Sequence, residues 1–249
     1  MMPTLEEKCG VQQYRVNEAE GDDLIAYLCG QLNDDILIYS VDQDLKQLLN
    51  TPGKNVLLMV PKQMSKTKRL FVPENLVIHE EASALDDFFS LSESDVSGST
   101  IEKLISTLKG KDYKEIKVNP TFEILSKILG GDKSDEIPKI TGVTPKKMES
   151  IISAVLEKFG ESIIDKIDSI DPEFLEFTIS EIAKVTKAKE DALEDIRDHL
   201  NFNIKIIRLT PSFFPDHILS AIKDTVALKE ERRFNYREFT QIKNNPNLL

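Results

Sequence analysis

The stretch DDILIYSVDQDLKQLL, residues 34–49, constrains the fold more than any other part of the chain. Ile36 to Tyr39 is a short apolar run of the kind that forms a strand buried on both faces of a parallel sheet. The run stops at Ser40, after which Leu45, Leu48 and Leu49 recur at helical spacing. A strand, a turn bearing Asp42 and Asp44, and a helix make the repeating unit of an α/β protein. In open sheets of that class, ligands bind beyond the carboxyl ends of the strands. Val56 to Val60, closed by Pro61, reads as a second strand.

Before this unit stands EAEGDD, residues 18–23, with four carboxylates in six positions. Residues 17 to about 32 read as a helix, with Asn17 and Glu20 as a cap and capping-box pair. Ile25, Leu28, Cys29 and Leu32 form its apolar stripe, and three residues further back that stripe lands on Asp22. A carboxylate in line with a buried face needs a partner, because a lone buried charge costs several kcal/mol. Glu18 reads as a plain charge at a helix start.

The second half has a different character. Residues 90–100 are Ser-rich and read as a loop or linker, and Lys62, Lys66, Lys68 and Arg69 form a basic hairpin before it. Asn119 and Pro120 can start a helix that runs to Leu129 and stops at Gly130-Gly131. The loop GDKSDEIPKITGVTP then leads into KKMESIISAVLEKFG, a strongly amphipathic helix. NFNIKIIRL alternates like a strand, PDHILSAI begins a last helix, and the tail from residue 231 is locally basic.

A chain of 249 residues is long enough for one large domain or two smaller ones. Its two cysteines, Cys9 and Cys29, are too few for a disulfide framework and fit a reducing compartment. No apolar run is long enough to span a bilayer, so the expectation is a cytoplasmic protein with no membrane partner. The formal net charge of −11 argues against nucleic-acid partners only if charge is spread evenly, since a single face can still be basic. His79, His199 and His217 have no paired spacing and read as ordinary surface or core residues.

Three acidic groups lie where elements begin or end: Glu20, Asp22 and Asp23; Asp42 and Asp44; Asp132 and Asp135. All offer hard oxygen ligands, and Mg²⁺ binds few protein carboxylates while keeping waters and substrate phosphate oxygens. Two such ions about 4 Å apart can clamp the attacking and leaving oxygens of a phosphodiester. Together the three groups point to metal-dependent phosphoryl transfer.

In order, EAEGDD, SVDQDLKQL and LGGDKSDEIPKITGVTPKK resemble three signatures of the 5′-nuclease superfamily. That superfamily holds flap endonucleases, the 5′-exonuclease domains of bacterial DNA polymerases and phage 5′-exonucleases. The nearest branch is that of the RNases H of T-even bacteriophages, and the resemblance covers roughly residues 14–230. It implies an α/β fold in which residues 14–115 form an incomplete catalytic core. That core would be PIN-like, a partial parallel sheet with helices. Residues 116–230 would be a mostly helical, DNA-binding region of helix-three-turn-helix type with a returning strand, and 231–249 a tail.

The same resemblance implies a Mg²⁺-dependent 5′-3′ exonuclease or flap endonuclease of phage replication, acting near the 5′ ends of duplex DNA or RNA–DNA hybrids. Glu20, Asp22, Asp42 and Asp44 would be catalytic and hold the first ion, with Asp23 beside them. Asp132 and Asp135 would hold the second, and Mn²⁺ could substitute. Thr141, Gly142, Val143, Thr144, Lys146 and Lys147 would contact the DNA backbone, with K⁺ bound at the turn. If phage-encoded, the protein would act in the bacterial host cytoplasm. Family members carry a long segment before the first acidic motif, whereas about 19 residues precede Glu20 here. On the resemblance, the chain reads as a fragment, an inactive remnant or one half of a split enzyme whose N-terminal portion a separate polypeptide would supply.

Two other readings fit parts of the pattern. One is a catalytically inactive, DNA-binding remnant. The other is a haloacid dehalogenase-like phosphatase with Asp42 as covalent nucleophile and Asp44 as acid, although Lys46 stands where that family expects Thr or Val.

Overall fold

The computed structural model of the protein describes residues 12–33, 35–60, 68–74 and 113–227. Within these, the chain is α/β, with one mostly parallel four-stranded sheet in the order β1-β2-β3-β4. The strands are β1 (Ile36–Tyr39), β2 (Val56–Val60), β3 (Lys68–Pro73) and β4 (Tyr113–Val118). β1 runs parallel to β2, β2 antiparallel to β3, and β3 parallel to β4. The linker expected at 90–100, Lys62 and Lys66 of the basic cluster, and the tail 231–249 all lie outside the described residues.

All five residues of β2, VLLMV, are buried, as expected for a strand with a neighbour on each side. β1 differs from its sequence reading. It pairs only with β2 among the described residues, and Tyr39 at its end is 62 % exposed. An apolar run of four residues is compatible with a central or an edge strand, and sheet order decides between them. β4 also carries the sheet to residue 118, past the boundary expected at 115.

The helices are α1 (Gly21–Gln31), α2 (Pro120–Gly130), α3 (Pro145–Phe159), α4 (Ile163–Asp168), α5 (Pro172–Thr186), α6 (Leu193–Ile207) and α7 (Asp216–Ala227). α1 begins later than expected. Glu18 has a left-handed φ of 67°, which breaks the chain before a helix can form, so Asn17 lies in a turn. Glu20 is the N-cap instead, and Asp23 accepts its backbone N–H at 3.0 Å. The leucines after Asp44 form a 3-10 helix, Asp44–Asn50, with Leu45, Leu48 and Leu49 buried. α2 starts as read, with the Asn119 side chain accepting from Phe122 N–H.

The returning strand is corrected: NFNIKIIRL belongs to α6 and the residues after it. The alternation in this stretch is real, but a 3.6-residue period fits too. Ile196, Leu200, Asn203, Ile204 and Ile207 lie on one buried face, while Phe202 and Ile206 face outward. Burial of that face against α2 selects the helix over the β-branched preference of the residues.

The helical core gathers Ile124, Ile128, Ile140, Ile152, Phe174 and Leu200, with others, into one cluster. A second cluster lies under the sheet and includes Leu45, Val56, Leu58 and Phe71, with Leu209 and Phe214 packed against it. A third joins α1 to α7 through Leu24, Tyr27, Ile218 and Ile222. A polar bolt ties the 3-10 helix to the end of α6. Gln47, 7 % exposed, donates to Ile207 O at 3.0 Å and accepts from Arg208 Nη1 and Leu209 N–H, each at 2.9 Å. Arg208 is held in turn by the Asp168 carboxylate at 2.6 and 2.9 Å. No helix among the described residues is long and apolar enough to cross a membrane.

Candidate metal centre

Each acidic group is delivered by a local device. In the first, the Asp23 carboxylate is used in capping α1. Exposed Glu20 completes the capping box from the N-cap, and half-buried Asp22 stands in the first turn. In the second, the chain leaves β1 and turns twice on side chains. Ser40 Oγ accepts from Asp42 N–H at 3.1 Å, and Asp42 Oδ1 accepts from Asp44 N–H at 2.8 Å. These short turns stop the strand and start the 3-10 helix, placing both aspartates at the carboxyl end of β1.

The third group sits in a tight loop after α2. Asp132 and Ile137 exchange backbone hydrogen bonds at 3.0 and 2.8 Å, closing the loop that carries Asp135. Gly131 makes the loop possible. Its φ is 65°, and a Cβ there would lie 2.4 Å from Ile137 O and 2.6 Å from Lys139 N. Asn203, fully buried on α6, fastens both ends of the loop, donating to Ile128 O and Pro138 O at 2.8 Å each.

The three groups converge. Carboxylate oxygens of Asp44, Asp132 and Asp135 all lie within 4.8 Å of one another, a set that could hold a metal ion. The Asp22 carboxyl lies beside that of Asp42 and within electrostatic reach of Glu20 and Asp44. Burial, then the Asp42 contact, then the charges of Asp42, Glu20 and Asp44 push the Asp22 carboxyl up to about 7. Asp44 belongs to both sets and joins them.

Lys127, on the last turn of α2, bridges the centre. Its ammonium binds Asp132 Oδ2 at 2.8 Å and also contacts Asp44 Oδ1. Burial opposes the Lys127 charge, but hydrogen bonds to Asp132 and Asp44 outweigh it and raise the pKa. The Lys127 hydrogen bond, with those from Ser134, holds Asp132 well below the usual carboxylate range. All donors are hard carboxylate oxygens and one cation already sits among them, so the residues fit a hard divalent ion.

Beyond the acidic loop lies the turn expected to meet DNA. Ile140 N–H bonds Leu129 O at 3.0 Å, which ties this turn to the end of α2. Gly142 has φ 78°, while Thr144 is in an ordinary extended conformation at φ −98°, so the turn needs only one glycine. Thr141, Gly142, Thr144 and Lys146 are exposed. Val143 is different: its side chain is 5 % exposed and its N–H is taken by Ile140 O at 3.2 Å, so it anchors the turn from inside. Pro145 has no N–H, and the amides of Lys146 and Lys147 precede the first helical bond, Met148 N–H to Thr144 O at 2.8 Å. The start of α3 thus presents backbone donors beside two lysines.

Comparisons with protein-family models, with curated proteins and with solved structures each give no match for this chain.

Sequence reasoning missed Lys127, Asn203 and Gln47. The signal for Lys127 was faint: a cation on the α2 face five residues before Asp132. Asn203 and Gln47 gave none, since each acts through carbonyls or side chains far away in the chain.

Proposed function

We propose that the protein is a metal-dependent 5′-nuclease, hydrolysing phosphodiester bonds near the 5′ ends of DNA or of RNA–DNA hybrids. The observation that carries this reading is the convergence of acids from α1, from the end of β1 and from the loop after α2. In this reading the core is PIN-like and the segment from Ile140 into α3 is the helix-three-turn-helix grip.

Glu20, Asp22 and Asp42 would hold one Mg²⁺, Asp132 and Asp135 a second, and Asp44 would lie between them. Bound there, the ions would supply an activated water and offset charge on the scissile phosphate. The chain's own part is to position. The Ser40 and Asp42 turns fix the direction of Asp44, Gly131 and Asn203 fix the loop of Asp132 and Asp135, and the bolt at Gln47 holds both to one frame. The amides at the α3 start, with Lys146 and Lys147, would bind backbone phosphates without reading sequence, and a monovalent cation at the turn would assist. Among the described residues β1 pairs only with β2, which is compatible with a separate polypeptide that completes the sheet. The phosphatase alternative leaves Glu20 and Asp22 idle, although Asp22 lies beside its nucleophile candidate, Asp42.

The test is release of short products from a 5′-labelled duplex with a 5′ overhang, in Mg²⁺ and in Mn²⁺. Wild type is expected to cleave and Asp42→Asn to lose cleavage. Salt-sensitive binding of the duplex without cleavage would point to half of a split enzyme or to an inactive DNA-binding remnant.

A further inference from the structure

The acids proposed as ion ligands already hold a cation of the protein's own. Lys127 Nζ lies against Asp44 and, at 2.8 Å, against Asp132, two of the three residues whose oxygens gather within 4.8 Å. This contact joins two elements, because Lys127 and Asp132 flank the end of α2 whereas Asp44 opens the 3-10 helix. The Lys127 side chain keeps about a third of its surface exposed, at 29 %. It is therefore not locked in place by packing, and its four-carbon stem gives it other positions to occupy.

We propose that Lys127 is a built-in competitor for the divalent ion, so that ion binding at Asp44, Asp132 and Asp135 and departure of the Lys127 ammonium are one event. The inference rests on the metal-centre reading above and adds its regulation. The physical argument is one of shared oxygens and charge. Without a cation, three carboxylates this close repel one another, and the ammonium relieves that repulsion. A divalent ion and the ammonium are drawn to the same two carboxylates, and at such short range the two cations repel each other, so each weakens the other's binding. The lysine thus keeps the ion-free protein folded with its acids in register, and weakens ion binding by the free energy of displacing it.

A lysine that merely props up the ligands would give the opposite sign: removing it would weaken ion binding. The experiment measures Mn²⁺ binding to the full chain from the loss of the free-ion electron paramagnetic resonance signal. Its companion is thermal unfolding in EDTA and in Mn²⁺. In Lys127→Met, binding is expected to tighten by about tenfold, and the unfolding temperature in EDTA is expected to fall below that of wild type. Lys127→Arg should bind close to the wild-type level, and Asp135→Asn should weaken binding in either background. Should Lys127→Met fail to fold, Lys127→Gln carries the same comparison. Equal or weaker Mn²⁺ binding in the neutral variant, with the Asp135→Asn effect intact, would overturn the competitor role while leaving the ion site standing. Absence of Mn²⁺ binding in every protein, wild type included, would remove the site and the proposal together.

Discussion

The carboxyl groups of Asp22 and Asp42, one from the first turn of α1 and the other from the turn after β1, lie side by side, and each makes the other harder to ionise. Burial and the neighbouring Asp42 carboxyl favour the protonated form of Asp22, and a bound ion would displace that proton.

The pH dependence follows with a definite sign. Asp22 titrates near 3.8 in the unfolded chain and near 7 in the folded one. Between those values the folded state keeps a proton that the unfolded state has lost. Stability of the ion-free protein therefore falls as pH rises through that window and levels off above about 7. Asp22→Asn removes the penalty and is expected to stabilise the ion-free protein at pH 8, by on the order of 1 kcal/mol after allowance for solvent screening. Urea unfolding at pH 5 and pH 8, in EDTA, reads the difference. Mn²⁺ affinity of wild type should rise over the same interval.

Gly131→Ala tests the loop that carries Asp132 and Asp135. The added Cβ meets Ile137 O and the φ is left-handed, so a destabilisation of about 2 kcal/mol or more is expected. Ion binding should weaken along with stability. A variant as stable as wild type, with unchanged Mn²⁺ binding, would show that the loop has another conformation open to it.

Asn203→Ala removes the two hydrogen bonds by which α6 holds the end of α2 and the far end of the same loop. It leaves the Ile128 and Pro138 carbonyls without that partner and is expected to cost about 1–3 kcal/mol. Hydrogen exchange should speed up at residues 131–140 more than in the sheet. Uniform acceleration across the chain would assign Asn203 to general packing.

Lys146→Ala and Lys147→Ala test the grip at the start of α3. Each should weaken duplex binding about equally for unrelated sequences and lower the salt slope by about 1. Titrations at several salt concentrations, in EDTA, separate this from any effect on the ions. Lys147 also donates to Gly142 O at 3.1 Å, so its loss should loosen the turn and have the larger effect.

The features legible in the sequence were local ones. β2 reads from an unbroken apolar run, α2 from Asn119-Pro120 at one end and glycines at the other, and the acidic turns from their place after such elements. What stayed hidden depends on partners. The place of β1 at the edge among the described strands follows from sheet order, and α6 from the presence of α2 beneath Leu200 and Ile204. The cap of α1 moved from Asn17 to Glu20 because Glu18 takes a left-handed conformation, which the composition of EAEGDD does not announce. The acids could be named as candidate ligands from their spacing, but the ammonium between Asp44 and Asp132 comes from a helix more than eighty residues after Asp44.

The central claim is that the separated acidic groups form one divalent-ion centre. The most direct measurement is an anomalous difference map at the manganese edge, from crystals soaked in Mn²⁺. The account expects one peak among Asp44, Asp132 and Asp135 and a second beside Glu20, Asp22 and Asp42, with Lys127 moved off Asp44. A map without manganese at these carboxylates, with Lys127 still bridging Asp44 and Asp132, would contradict it.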